Sequence, residues 1–338
     1  MSEIRYDRLH DTHVLIAPER MHRPDCPVPL QADETTLPKC PFCEGNESMT
    51  PPEIFALRHE GSFPNEAGWR TRVIPNLYKA VQIEAAHQHH SGMLERWEGF
   101  GAHEVIIDTV RHCTSISQWN VNEACDWLKT LRVRVADLRH DERIEYISLF
   151  KNEGYQAGST QTHAHTQLIA LPMVPKQIND YYLQYFEHYK ATGKSLMGSL
   201  IDQEEHTMER IVSQEGDFTL FCPYASAYPF EMIISSKQPH GQIDTLNDTA
   251  IEAVSALLLR AVKKLDNQLG CSQFNLWIAT PPLKGKHDFS APLDEAFRFS
   301  IRIMPRIYRY GGFESGSGMM INPVSPELAA SLLKGEQV

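Results

Sequence analysis

The sequence lacks any long hydrophobic run. Hydrophobic residues make up 42% of its 338 residues, yet no apolar stretch approaches the roughly 20 residues that a membrane-spanning helix needs. The first residues, MSEIRYDRLHDTH, also lack the apolar core of a secretion signal. We therefore expect a globular cytoplasmic protein with no membrane partner.

Paired cysteines and clustered basic residues are equally scarce. Only Cys40 and Cys43, among seven cysteines, lie close together in the sequence. In a reducing compartment such a pair indicates metal or redox chemistry before a disulfide. The net charge is −11, and Lys and Arg are scattered, whereas a phosphate backbone requires a basic stripe. Nucleic acid is therefore not an expected partner, although a small anion held by a few arginines is compatible with this composition.

One succession of elements occurs twice along the chain. Each copy reads as a strand, a turn containing a histidine, a helix and two further strands, and this shared order indicates an internal duplication. The matched segments are 103–108, His112, 121–138, 145–151 and 165–171 in the first copy, and 230–235, His240, 248–265, 274–279 and 297–304 in the second. We predict an α+β fold of two tandem modules, each an antiparallel sheet with helices.

The segment between the two copies is rich in Tyr, Glu and Gln and predicts a helical connector. The expected organisation is a first domain over 1–175, a connector over 176–212 and a second domain over 213–338. Two domains also suit the length of the chain, because a single core seldom organises this many residues.

The densest group of chemically reactive residues is the run GSTQTHAHTQ that ends at Gln167. Side chains two residues apart on a strand share one face, so His163, His165 and Gln167 should project together. The Gly-Ser-Thr turn before them can offer N–H groups and hydroxyls to an anion. Two imidazoles and an amide beside such a turn indicate a catalytic site more than an ordinary strand surface.

This run resembles the HxHxQ signature of the galactose-1-phosphate uridylyltransferase branch of the histidine-triad superfamily. Further motifs of that branch follow in the same order over nearly the whole chain, including those that begin at Ala17, Cys40, Arg72, Phe150 and Gly311. The pattern is equally similar to the plant ADP-glucose phosphorylases of the same branch. The resemblance implies tandem histidine-triad-like modules and a nucleotidyltransferase.

The resemblance also implies ping-pong transfer of a nucleoside monophosphate through His165. This imidazole would attack the α-phosphorus of a nucleotide sugar and displace the sugar 1-phosphate, because a neutral imidazole is both a good nucleophile and a good leaving group near pH 7. Gln167 would donate a hydrogen bond to a phosphoryl oxygen of the intermediate. Thr160 stands where the family usually has serine, and its hydroxyl would lie near the phosphate. His163, the first histidine of the signature, is expected to belong to this catalytic group as well.

Six further residues are expected to bind substrates by the same resemblance. They are Arg20 and Arg23 on the diphosphate, Asn152 on a phosphate, Asn76 beside the nucleoside, and Phe313 and Glu314 in the sugar-phosphate segment. Arginine suits the diphosphate because its guanidinium matches phosphate oxygens with two parallel hydrogen bonds. Leu77 replaces an aspartate and Met320 a glutamine of the uridylyltransferases, which leaves the base and the acceptor open.

Cys40 and Cys43 would supply two of the four ligands of a tetrahedral zinc site. The resemblance implies that His112 and His163 are the other two. The Zn²⁺ ion would be structural, tying the loop of the two cysteines to the strand that carries the nucleophile.

The leading interpretation is a UDP-glucose:hexose-1-phosphate uridylyltransferase, which uses a nucleotide sugar and a sugar 1-phosphate. The alternative is a phosphorylase that moves AMP from an ADP-sugar or adenylyl sulfate to inorganic phosphate. An alternative of another class is a nucleotide-binding sensor without turnover, which the presence of a nucleophile argues against. Hydrolysis is less favoured, because hydrolases of the superfamily usually have histidine where this chain has Gln167. In the family the segment of Glu314 reaches a subunit interface, so a homodimer with shared active sites is implied.

Overall fold

The computed structural model describes residues 2–22, 39–270, 272–283 and 292–336. The strands of this part of the chain are β1 (Glu3–Asp7), β2 (Thr12–Ile16), β3 (Phe55–Arg58), β4 (Trp69–Pro75), β5 (His89–His90), β6 (Arg96–Trp97), β7 (Ala102–Ile107), β8 (Tyr146–Glu153), β9 (His165–Leu171), β10 (Ile211–Glu215), β11 (Phe218–Phe221), β12 (Met232–Ser236), β13 (Phe274–Ile278), β14 (Ser300–Pro305) and β15 (Met320–Asn322). The α-helices are α1 (Val121–Leu138), α2 (Lys176–Thr192), α3 (Leu196–Thr207), α4 (Asp248–Leu269), α5 (Leu293–Ala296), α6 (Gly312–Ser317) and α7 (Pro326–Lys334).

Ten of the strands form one continuous antiparallel sheet, in the order β10-β11-β12-β14-β13-β8-β9-β7-β4-β3. From the centre outward, β8 corresponds to β13, β9 to β14, β7 to β12, β4 to β11 and β3 to β10. The two central strands pair directly, with Asn152 opposite Asn275. The predicted α+β fold of tandem antiparallel modules is thus confirmed, and the two modules share a single sheet.

Helices α1 and α4 cover one face of this sheet. Each begins at an asparagine whose side chain accepts a hydrogen bond from the first turn, Asn120 for α1 and Asn247 for α4. The buried residues of α1 recur three and four positions apart, which gives the helix one apolar face. This face joins Ile106, Leu149 and Leu168 of the sheet in the main core. The first module's other sheet face is therefore left for the histidines.

The connector between the modules forms α2 and α3, which pack on the second module. Tyr181 and Tyr182 are buried there, with their rings against Trp277 and Phe297. A separate three-stranded sheet, β1-β2-β15, joins the two ends of the described chain, and β15 runs parallel to β2. In the part of the chain that the structure describes, no helix has both the length and the hydropathy required to cross a bilayer.

Candidate active site and metal centre

His165 is the first residue of β9 and lies in the interior of the sheet. Its neighbours are Ile107 on β7 and, two residues further along β9, Gln167 opposite Val105 and Phe150. Because β9 alternates its side chains between the two faces, His165 and Gln167 project from the same face. His165 is only 8% exposed, so a reacting group would meet it in a largely dry environment.

The His165 ring is held in one orientation by the backbone. Its Nδ1 lies 2.9 Å from the carbonyl oxygen of His163. A carbonyl can only accept, so Nδ1 carries the proton and the lone pair is on Nε2. Burial, and next the Lys151 ammonium, lower the pKa of His165, opposed by the His163 carbonyl and Asp108. The ring is therefore neutral at physiological pH, and among the described residues its Nε2 lone pair has no hydrogen-bond partner and is available for nucleophilic attack.

A buried ion pair supports the nucleophile from the other side of the sheet. Lys151 Nζ lies 2.9 Å from Asp108 Oδ2 and 3.2 Å from the carbonyl oxygen of His165. Lys151 and Asp108 are almost fully buried. One ammonium group thus joins β8 to the residue that follows β7 and to the start of β9, which fixes the main chain of His165.

Gln167 and Asn76 meet at a third residue, His103. The Nε2 atom of His103 lies 3.1 Å from Gln167 Oε1 and 3.0 Å from Asn76 Nδ2. The structure therefore brings together two of the predicted site residues, and His103 is a neighbour that the sequence analysis missed. The available signal was the alternation in HEVIID, which places His103 on the same face of β7 as Val105 and Ile107.

Asn152 is held by residues of the second module. Its Oδ1 accepts a hydrogen bond from Asn275 Nδ2 at 2.8 Å, and Asn275 in turn accepts one from Arg306 Nε. The Oδ1 of Asn152 is therefore engaged, while its Nδ2 lies toward the turn at Gly158, whose φ is +90°. A cavity of about 520 Å³ opens beside this turn, lined by Gly158, Asn275, Arg306 and several aromatic side chains.

The four predicted metal ligands converge on one point. Donor atoms of Cys40, Cys43, His112 and His163 all lie within 4.8 Å of one another. The Sγ–Nδ1 distances between Cys43 and the two histidines are 3.3 and 3.7 Å, close to the roughly 3.3 to 3.8 Å between ligands of a tetrahedral zinc ion. These residues can hold a metal ion.

The protonation of this cluster also suits a cation. Burial, mainly, lowers the pKa of His163 to about 4, so the ring is neutral and its Nδ1 can bind a metal. Its Nε2 lies 2.8 Å from the carbonyl oxygen of Thr109, an interaction typical of metal-bound histidines. Burial and the neighbouring Cys40 raise the pKa of the Cys43 thiol to about 11, so two thiolates would need a cation between them.

Phe42 connects the metal cluster with the nucleophile. Its ring centroid lies 6.2 Å from that of His163 and 5.7 Å from that of His165, with both contacts edge-on. The loop that carries the two cysteines therefore forms part of the wall around His165.

The remaining predicted site residues lie on other segments. Thr160 is exposed in the turn before β9, Arg20 is exposed in the single-turn helix Pro18–His22, and Phe313 is 48% exposed on α6. Glu314 Oε2 accepts the Gly311 N–H at 2.9 Å and so caps its own helix. Arg23 lies outside the described residues. Their roles at the site remain predictions.

The second module has an ion pair where the first has its reactive strand. Arg302 of β14 donates to Glu231 Oε1 at 2.6 Å, and its terminal nitrogen lies 2.7 Å from His10 Nε2. The Arg302 side chain is only 12% exposed, so β14 carries a buried ion pair where β9 carries its reactive side chains.

Comparisons with known proteins identify the family of this chain. The family model for the galactose-1-phosphate uridyl transferase N-terminal domain matches residues 1–175, just over half of the 338 residues. ADP-glucose phosphorylase from Arabidopsis thaliana is 30% identical over 98% of this chain and 92% of its own length. Galactose-1-phosphate uridylyltransferase from Saccharomyces cerevisiae is 25% identical over 85% of this chain and 81% of its own length.

A solved structure shows the same relationship in three dimensions. The Arabidopsis thaliana ADP-glucose phosphorylase with bound ADP-glucose superposes with a TM-score of 0.82 and 28% identity, covering 100% of this chain and 99% of the other. These findings confirm the resemblance inferred from the sequence motifs. The chain belongs to the galactose-1-phosphate uridylyltransferase family and is a nucleotidyltransferase.

Proposed function

We propose that this chain transfers a nucleoside monophosphate in two steps, with His165 Nε2 as the nucleophile and a nucleotide sugar as the donor. The single observation that carries the proposal is the 2.9 Å contact between His165 Nδ1 and the His163 carbonyl. It leaves the Nε2 lone pair free in a buried imidazole, which is the form that attacks phosphorus.

In the first step Nε2 forms a bond to the α-phosphorus while the bond to the sugar 1-phosphate breaks, and the sugar 1-phosphate leaves with the electron pair. In the second step a phosphate oxygen of the acceptor attacks the same phosphorus, and the P–N bond breaks to restore His165. Amide donors of Gln167 and Asn152 would stabilise the charge that builds up on the phosphoryl oxygens in both steps. Arg20 and Arg23 would bind the diphosphate.

Our leading proposal for the acceptor is a hexose 1-phosphate, with UDP-glucose as the donor. The curated relative from Saccharomyces cerevisiae is named galactose-1-phosphate uridylyltransferase. The Glu314 carboxylate would accept hydrogen bonds from sugar hydroxyls, which inorganic phosphate does not have. A second candidate is phosphorolysis of an ADP-sugar. It is favoured by the higher identity to ADP-glucose phosphorylase, 30% against 25%.

The metal cluster would hold Zn²⁺ in a structural role, since two thiolates and two imidazoles leave no open coordination position for a substrate. The ion would fix the cysteine loop, and with it Phe42, against His165. We also propose a cytoplasmic homodimer in which Phe313 and Glu314 of one protomer complete the site of the other.

The test is to incubate the protein with the donor alone. UDP-glucose and ADP-glucose are supplied separately, and intact mass is measured before and after mild acid, which cleaves a phosphoramidate. We expect one nucleotidyl group per site, whose mass identifies the base, and none in His165→Ala. His87→Ala, which removes an exposed histidine, is the matched control. An acid-labile adduct that persists in His165→Ala would refute the proposal.

The acceptor is then decided by single-turnover discharge of the isolated adduct. Galactose 1-phosphate and inorganic phosphate are compared side by side at equal concentration. Faster discharge to galactose 1-phosphate is the expected result. If the adduct discharges faster to phosphate, and Glu314→Ala leaves that rate unchanged, the phosphorylase replaces the leading proposal.

A further inference from the structure

We infer that His103 is a positioning residue that turns the amide nitrogen of Gln167 toward the reacting phosphoryl group. The inference rests on the proposed function, in which Gln167 donates to that group, and adds the residue that decides which end of the amide faces it. A carboxamide has one donor end and one acceptor end of nearly equal size, so something must select the productive orientation.

The tautomer of His103 follows from a backbone hydrogen bond. The N–H of Ala80 donates to His103 Nδ1 at 3.0 Å. A backbone N–H is always a donor, so Nδ1 must be the acceptor and the ring proton is on Nε2. The same loop is held at its other end, where the Asn76 N–H donates to the carbonyl oxygen of His103 at 2.8 Å. The ring is also buried, and both of its nitrogens therefore have defined roles.

The position of the proton fixes the amide of Gln167. Since Nε2–H is a donor, the Gln167 atom at 3.1 Å from it must be the acceptor Oε1. The NH₂ group of Gln167 then points away from His103 and remains available to a phosphoryl oxygen beside His165 on the same strand. If the Gln167 amide were flipped, its NH₂ group would face the Nε2–H donor of His103, and its carbonyl oxygen would face the anionic phosphoryl group.

Asn76 is oriented by the main chain and not by His103. Its Oδ1 accepts the N–H of Tyr78 at 2.9 Å, so its NH₂ group is the end that lies 3.0 Å from His103 Nε2. That nitrogen already donates to Gln167 and cannot accept from Asn76. The 3.0 Å approach of these two nitrogens is therefore a contact between two donors and not a hydrogen bond. His103 therefore orients the amide of Gln167, whereas the Tyr78 N–H orients that of Asn76.

Two substitutions at His103 distinguish the roles of its two ring nitrogens. In His103→Gln the side-chain amide can reach the position of Nε2 and still donate to Gln167 Oε1. In His103→Asn the shorter amide can accept from Ala80 but cannot reach Gln167. If His103 acts through Gln167, the rate of adduct formation should fall about 10- to 100-fold in His103→Asn, which is less than the roughly 100- to 1000-fold effect of removing an oxyanion donor because Gln167 is still present. The rate should fall only about 3-fold or less in His103→Gln. A role limited to holding the loop predicts the reverse order.

A double-mutant cycle tests whether His103 acts through Gln167, a coupling that a purely structural role would not produce. The rate of His165 adduct formation and the donor KM are measured for His103→Asn, Gln167→Ala and the double variant. We expect the double variant to form the adduct no more than about 3-fold slower than Gln167→Ala alone, because His103 then has no amide left to orient. The loss of rate should appear in kcat. Multiplicative effects of the two changes would overturn the inference.

The failure of this inference can be told apart from failure of the proposed function. If the wild-type protein forms no adduct on His165, the proposed function itself fails. If the adduct forms and His103→Asn makes it at the wild-type rate, the proposed function stands and His103 is not the positioning residue. Melting temperatures of both His103 variants, with His89→Gln in the exposed β5–β6 hairpin as the control, show whether a loss of rate reflects unfolding.

Discussion

Glu153, at the end of β8, is a single carboxyl group whose protonation should affect the stability of the whole chain. It is only 4% exposed, and its Oε2 accepts the N–H of Ile116 at 3.1 Å. Burial raises its pKa from 4.5 to about 7, against the opposing effects of Lys151 and the hydrogen bonds. Between these two values the folded chain holds a proton that the unfolded chain has released.

The raised pKa of Glu153 determines how the stability of the fold changes with pH. When the folded-state pKa is raised, the contribution of Glu153 is favourable below pH 4.5 and is lost as the pH rises to about 7. We predict that Glu153→Gln, which keeps the acceptor and removes the ionisation, gains stability relative to the wild type by on the order of 3 kcal/mol between pH 4.5 and 8. Urea unfolding at several pH values measures this, with the exposed Glu60→Gln as the control; parallel curves for the wild type and Glu153→Gln would disprove it.

At the scale of residues, the sequence predicted the reactive side chains but not the residues that hold them in place. The period of a strand was sufficient to place His165 and Gln167 on one face. Lys151 and Asp108, in contrast, lie 43 positions apart, and nothing in either segment shows that the two charges meet under the nucleophile. His103 was missed for the same reason, because its partner Gln167 lies 64 positions later in the chain.

Among the elements, boundaries were predictable where the chain is regular and failed where a single residue interrupts it. Helix α1 and strand β9 have the predicted limits. The strand expected from Phe230 begins only at Met232, because Phe230 has a φ of +59° and cannot be part of a strand. The strand expected from Phe297 begins at Ser300, because Phe297 instead caps the short α5 and is buried among tyrosines.

The cysteine loop is the element whose position depends most on the proposed metal ion. We predict that about one zinc per chain copurifies and that Cys40→Ser lowers both the zinc content and the melting temperature, because a tetrahedral site that loses a thiolate loses affinity. Adduct formation at His165 should also slow, since Phe42 lies on this loop. Metal analysis and thermal unfolding test this, with Cys125→Ala as a control at a buried cysteine outside the cluster. Full zinc occupancy in Cys40→Ser would show that the ligand set is wrong.

At the scale of the whole molecule, the duplication was visible in the sequence but the union of the two modules was not. Repeated element order predicts two similar units, whereas the β8–β13 pairing depends on which sheet edges are exposed when both units have formed. The consequence reaches the site, because Asn275 and Arg306 of the second module hold Asn152 of the first. The domain limits proposed from the sequence remain a prediction.

The proposed homodimer makes a prediction that only the assembled molecule can test. If Glu314 completes the site of the other protomer, a heterodimer of His165→Ala with Glu314→Ala has one site carrying both defects and one intact site. Such a dimer, purified through two different tags, should retain about half of the wild-type activity.

The matched control carries both substitutions on one protomer, paired with a wild-type protomer. With shared sites, this arrangement places one defect in each site, so the dimer should lose nearly all of its activity. With sites contained within single protomers the two results are exchanged, because the wild-type protomer then has an intact site of its own. The two heterodimers contain the same substitutions in the same numbers, so a difference between them reports only whether the sites are shared. Equal activity of the two would contradict the proposed exchange of Glu314 between protomers.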